Sequence, residues 1–145
     1  MLVRALVLVA AASLAAAAMA QKPPVFSDRE GAIGGYDPVA FFTFAAAIKG
    51  SPRITHQWRG ATWHFAHSGN RDAFAADPEQ YAPQYGGYCA YGVAQGYVVG
   101  IDPAAWTVVG DKLYFNYSPD VRRTWRQDVP GYVRKADANW PAVLR

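Results

Sequence analysis

The chain has a single cysteine, two methionines and little charge: Asp, Glu, Lys and Arg together make up 17% of 145 residues. One cysteine excludes an internal disulfide and any site built from several thiolates within one chain. Low charge combined with 52% hydrophobic residues is the reverse of the disordered signature. Lysine and arginine never run five deep, so a formal net charge of +3 does not concentrate into a patch for nucleic acid or anionic lipid. The nearest approach, Arg122-Arg123 with Arg126, has the spacing of one solvated helix face. Past residue 20 no apolar stretch approaches the roughly 20 residues needed to cross a bilayer. Internal repeats and long low-complexity segments are also missing, and the length fits one domain.

The first twenty residues have their own logic. Arg4 precedes an apolar run over residues 5–18, which ends in the small-x-small triplet Ala18-Met19-Ala20. This is the layout of a secretory signal peptide, with cleavage expected after Ala20 and a periplasmic or secreted destination. The alternative, a retained membrane anchor, is short of a bilayer span at about 14 apolar residues. A single arginine rules out a twin-arginine signal. Removing the leader takes away one charge, Arg4, and leaves 125 residues at net +2. Residues 21–33 mix Pro, Lys, Asp and Ser without periodicity and read as a flexible lead-in. The domain proper is expected over residues 34–145.

Within it, Gly34-Gly35-Tyr36-Asp37-Pro38 makes a turn before an apolar run over residues 39–44. Residues 45–50 are compatible with helix or loop. Around Arg59-Gly60 the sequence alternates apolar and polar, as a hairpin with one half-buried face requires. If Arg59 and Gly60 form the turn, Trp58 faces Ala61, His56 faces Trp63 and Ile54 faces Phe65. His56 then points inward among aromatics and His64 out to water. Ser68 is a suitable N-cap for a helix ending at Asp77-Pro78, and Pro78-Glu79-Gln80-Tyr81 begins another turn. Residues 107–109 and 113–117 flank Gly110-Asp111-Lys112 as a second hairpin. Ser118-Pro119 opens a helix carrying Val121, Trp125 and Val129, and Tyr132, Ala136 and Trp140 continue the apolar spacing. The expected fold is α+β: a small single domain with two β-hairpins and several short helices around a core drawn from 5 Trp, 9 Tyr and 7 Phe.

Between these elements lies Tyr85-Gly86-Gly87-Tyr88-Cys89-Ala90-Tyr91-Gly92, dense in aromatics and in glycine, which lets a backbone approach a partner closely. This segment, with Gly35-Tyr36-Asp37-Pro38-Val39-Ala40-Phe41-Phe42, Gly60-Ala61-Thr62-Trp63-His64-Phe65, Asn70-Arg71-Asp72-Ala73-Phe74, Asp77-Pro78-Glu79-Gln80-Tyr81, Gly110-Asp111-Lys112-Leu113-Tyr114-Phe115-Asn116 and Ala136-Asp137-Ala138-Asn139-Trp140-Pro141, resembles the exported bacterial YHS-domain proteins. The resemblance spans residues 34–141. The wider family includes modules of heavy-metal-transporting ATPases in which paired cysteines suggest metal sensing or binding, so the resemblance implies metal handling here. The chain departs from those modules where their cysteines stand: it has Val39-Ala40 after Asp37-Pro38, and Ala66-His67-Ser68-Gly69-Asn70 after the aromatic strand.

One thiol and three imidazoles remain, donors that suit copper or zinc if brought together. Cys89 with inward-facing His56, and His67 as a third ligand, is the expected set. Each has a plainer alternative: Cys89 as an inert buried thiol, His56 as a core-edge residue, His67 as a loop or capping residue. Tyr36, Asp37, Tyr85, Tyr88 and Tyr91 are candidates for contacting a small ligand, set against packing roles for the tyrosines and a turn-forming role for Asp37. Three function classes follow. The first is an exported binding domain for a metal ion or small ligand. The second is a structural or partner-binding module with an aromatic contact patch. The third is a thiol enzyme with Cys89 as nucleophile and His56 as base, whose further machinery has no signature in the sequence.

Overall fold

Turn chemistry sets the frame of the molecule. The computed structural model describes residues 21–145, and the expected leader lies outside them. Among the described residues, three antiparallel two-stranded ladders and six α-helices form a small single α+β domain. In chain order they are β1 (Ser27–Asp28), β2 (Gly31–Ala32), α1 (Ala40–Thr43), β3 (Ser51–Trp58), β4 (Ala61–Phe65), α2 (Ser68–Ala76), α3 (Pro78–Tyr81), α4 (Ala90–Gln95), β5 (Trp106–Val109), β6 (Lys112–Phe115), α5 (Pro119–Arg126) and α6 (Val129–Asn139). Both expected hairpins are present. Arg59 and Gly60 turn the first with φ of 49° and 71°, and Gly110 and Asp111 turn the second with φ of 58° each. Two successive left-handed residues match the twist of the strands they join.

The first hairpin keeps the expected register from Trp58↔Ala61 through His56↔Trp63 to Thr55↔His64, then slips, so that Ser51 rather than Ile54 faces Phe65. A bulge between Ser51 and Thr55 absorbs the difference. In β4 alternation holds throughout: Ala61, Trp63 and Phe65 are buried, and Thr62 and His64 are half-buried. His64 does not face open water as expected. Its ring packs under Gly31 of β2, where an added Cβ would lie 2.8 Å from Nε2, and Gly50 crosses its backbone.

The aromatic core divides in two. Phe41, Trp63, Phe65, Phe74 and Phe115 pack between the first hairpin, α1 and α2. Tyr85, Tyr88, Tyr114 and Trp125 pack with α4 and α6. Strand β6 serves both cores through its twofold alternation: Leu113 and Phe115 enter the first and Tyr114 the second.

Three further expectations change. The lead-in is part of the fold: Val25, Ala32 and Ile33 are buried, the Phe26 amide donates to the Gly86 carbonyl at 2.9 Å, and the Lys22 amide donates to the Leu144 carbonyl at 2.8 Å. Its scattered apolar residues find partners only at long sequence separation, a signal that periodicity does not carry. The N-cap of α2 is His67, one residue before Ser68. The C-terminal apolar spacing is split between α5 and α6, because Asp128 caps a new helix that has Pro130 in its first turn.

Candidate functional site

Segment 85–89 is bent by Tyr85, Gly86 and Gly87, whose φ values are 58°, 62° and 86°. The bend delivers Cys89 to the N-cap of α4 with its Sγ turned toward the end of β6. There Sγ accepts from the Gly92 amide at 3.5 Å and the Tyr117 amide at 3.2 Å, while the S–H donates to Asn116 Oδ1 at 3.6 Å. Asn116 is wholly buried, and its Oδ1 also accepts from the Tyr91 amide at 3.2 Å. Cys89 therefore fastens α4 to β6 through hydrogen bonds. Burial pushes its thiol pKa up, and the backbone donors at Gly92, Tyr117 and Tyr91 only partly offset that rise. The neutral thiol is the state at physiological pH.

Above the sulfur lies a recess of about 220 Å³ lined by Cys89, Tyr91, Tyr97, Val99, Tyr117 and Val121. Tyr97 and Tyr117 on its rim are 46% and 60% exposed, two of only four large hydrophobic side chains so exposed among the described residues. A second depression of about 200 Å³ shares Tyr91 and Val121 and continues along α5 to Asp120 and Thr124. Together they make a groove between α4 and α5. Tyr91 forms its wall and is steadied by Tyr132 of α6, with ring centroids 5.3 Å apart.

The expected metal ligands stand in three different settings. Cys89 is bound up as described. His56 packs edge-on against Phe74 at 6.1 Å. The exposed His67 uses Nδ1 to accept from the Asn70 amide at 3.4 Å, capping α2. Neither imidazole lines the Cys89 recess. Among the described residues no group of three or more His, Cys, Asp and Glu is placed to hold a metal ion. The hydrogen-bond partners of the Cys89 sulfur are Gly92, Tyr117 and Asn116, none of them an imidazole.

The remaining candidates separate in the same way. Asp37 is fully buried, with Oδ1 accepting from the Val39 and Ala40 amides and Oδ2 from the Ala66 amide and Asn70 Nδ2. All four donors belong to the protein itself. The half-buried Tyr36 lies 5.1 Å beneath Lys49 Nζ in a one-residue bridge. Tyr88 is buried and donates through its hydroxyl to the Pro23 carbonyl at 2.8 Å, tying down the lead-in. Tyr85 donates to Asp137 Oδ1 at 2.8 Å. Of the five, Tyr91 alone enters the groove beside Cys89.

Tyr97, Tyr117 and Val121 are groove residues that sequence reasoning missed. The sequence extends the second strand of that hairpin to Tyr117, but β6 ends at Phe115 and Tyr117 lies exposed beyond it. Tyr97 follows Gly96, which ends α4 in a left-handed conformation, and that glycine was the one local sign of a chain reversal there.

Fold and site together define a small α+β domain with an aromatic surface groove over a buried thiol. Comparison with models of protein families, with curated proteins and with solved structures finds no match to this chain.

Proposed function

We propose that the chain is an exported binding domain of YHS type that takes up a large apolar side chain of a protein partner in the groove over Cys89. The observation that carries this reading is the placing of Tyr97 and Tyr117 on the rim of one recess. Exposed tyrosines around an apolar pocket are the composition of an interface hot spot, because each presents a large rigid surface with few rotors to freeze. Size argues for a side chain over a whole small molecule. The recess holds about 220 Å³, below the roughly 300 Å³ at which small-molecule sites begin, and its continuation along α5 gives an extended segment somewhere to lie. The sequence resemblance and the apolar leader support the family and the exported location. Metal handling, which that resemblance also implies, gains no support from the positions of Cys89, His56 and His67.

The test uses two capped amino acids, N-acetyl-tryptophanamide and N-acetyl-leucinamide, titrated into labelled protein at millimolar concentration. Resonances of Tyr91, Tyr97, Tyr117 and Val121 should shift in a saturable way, and Tyr117→Ser should weaken the response several-fold without altering the fold. Shifts scattered over the surface, or unchanged by Tyr117→Ser, would overturn the reading.

A further inference from the structure

A second and larger cleft, of about 340 Å³, opens on another part of the surface, between Trp58 and Arg59 of the first hairpin, Glu79 of α3, Tyr85, and Asp137 and Trp140 at the end of α6. Its size falls within the small-molecule range. Its charges are unequally matched. Arg59 is paired with Glu79 and also stacks on Trp58, its guanidinium carbon 4.3 Å from the ring centroid. Asp137 is exposed and has no basic partner among the described residues; its hydrogen bond is the one from Tyr85. The cleft therefore keeps one unneutralised carboxylate among the rings of Trp58, Tyr85 and Trp140. Tyr85 and Trp140 meet edge to face at 6.0 Å, which fixes the orientation of both.

The geometry points to a binding site for a small organic ammonium, with the Asp137 carboxylate taking the charge and the aromatic rings taking the alkyl groups. Ring faces carry negative quadrupole density and attract a cation best where water is partly excluded, so a carboxylate flanked by indoles and a phenol selects a bulky, weakly hydrated cation over sodium. Arg59 on Trp58 shows the same attraction within the chain. The backbone adds a second sign of a built site. Tyr85 is held at φ 58°, ψ 35°, a left-handed conformation that costs a non-glycine residue about 1–2 kcal/mol, and the hydroxyl so placed holds one oxygen of Asp137.

The experiment compares choline with 3,3-dimethylbutan-1-ol, its neutral isostere, by tryptophan fluorescence and by the indole N–H resonances of the intact protein. Choline should give a saturable response centred on Trp58 and Trp140, and the alcohol should bind at least tenfold more weakly. D137N keeps an oxygen to accept the Tyr85 hydroxyl, so it should melt as the parent does and lose at least tenfold in choline affinity. Equal binding of the two ligands, a response to neutral sugars in place of choline, or no response to choline at tens of millimolar would overturn the proposal. The isostere comparison uses the unaltered chain, so it decides even where D137N proves unstable.

Discussion

Asn70 Nδ2 donates to Asp37 Oδ2 at 2.8 Å, joining the turn before α1 to the first turn of α2 across 33 positions of sequence. The same carboxylate takes three backbone amides, at Val39, Ala40 and Ala66. One buried side chain thus closes the start of α1 and the exit of β4 and anchors the start of α2. A buried donor left without an acceptor costs about 1–3 kcal/mol, and Asp37→Ala would strand several at once. Urea unfolding should show Asp37→Ala losing about 3 kcal/mol or more, and Asp37→Asn losing less because one oxygen still accepts. A loss below about 1 kcal/mol for the alanine variant would mean that water reaches these donors.

This clamp also marks how far the sequence could be read. Asp37-Pro38 declared a turn, because an Asp before Pro serves that local purpose, but nothing local announced Ala66 or Asn70 as partners. The hairpin around Arg59-Gly60 was legible pair by pair down to Thr55↔His64, since turn type and alternation agree there. It ceased to be legible at Ile54, where a bulge that no composition signal marks shifts the register. Cys89, His56 and His67 were sound ligand types, but spacing cannot place a residue of α4 against one of β3. Two of the three hydrogen bonds that occupy Cys89, the one it donates to Asn116 and the one it accepts from Tyr117, reach more than 25 positions away in sequence. Tyr91, a candidate for ligand contact in the sequence, lines the groove, whereas Tyr117, read only as part of a strand, lies beyond the end of β6 and lines it too.

Cys89 acts through a sulfur that accepts two amides and donates once, so its replacement should follow hydrogen-bonding capacity over polarity. Cys89→Ser keeps a capping acceptor and should change stability by less than about 1.5 kcal/mol, whereas Cys89→Val orphans the Gly92 and Tyr117 amides and should cost about 2–3 kcal/mol. The thiolate is the reacting form, and burial raises the thiol pKa. Alkylation by iodoacetamide at pH 8 should therefore run at least about tenfold slower in the folded protein than in denaturant. Fast native alkylation would restore the thiol-enzyme reading.

Alkaline pH should unfold the domain through its buried tyrosines. Burial raises the pKa of Tyr85, Tyr88 and Tyr114 above the ordinary value of 10.0, and the Asp137 carboxylate raises Tyr85 and Tyr114 further. The folded chain then holds protons that the unfolded chain releases, so stability is fully present below pH 10.0 and falls as pH climbs above it. Cys89 adds loss in the same direction from its ordinary 9.0 upward. Urea midpoints measured from pH 8 to pH 11 should be level at first and then decline, with phenolate absorbance from these three tyrosines rising together with unfolding. A decline that begins below pH 8 would assign the effect to other groups.

The docking of the lead-in can be tested at a single glycine. Gly86 has φ 62°, and a Cβ built there would overlap the Pro24 carbonyl oxygen, while the Gly86 carbonyl accepts from the Phe26 amide. Gly60 and Gly110 have similar positive φ, 71° and 58°, but an added Cβ at either meets nothing within 4 Å. Gly60→Ala and Gly110→Ala therefore measure left-handed strain alone, about 1–2 kcal/mol. Gly86→Ala adds a steric clash with backbone that has no flexible side chain to yield, so it should cost at least about 1 kcal/mol beyond those two. The domain can relieve the clash by releasing residues 21–26, and trypsin should then cut at Arg29 several-fold faster in Gly86→Ala than in the parent or in Gly60→Ala. Equal cutting with equal stability loss in the glycine variants would mean that the lead-in does not bear on Gly86 in solution, and that Val25 is covered in some other way.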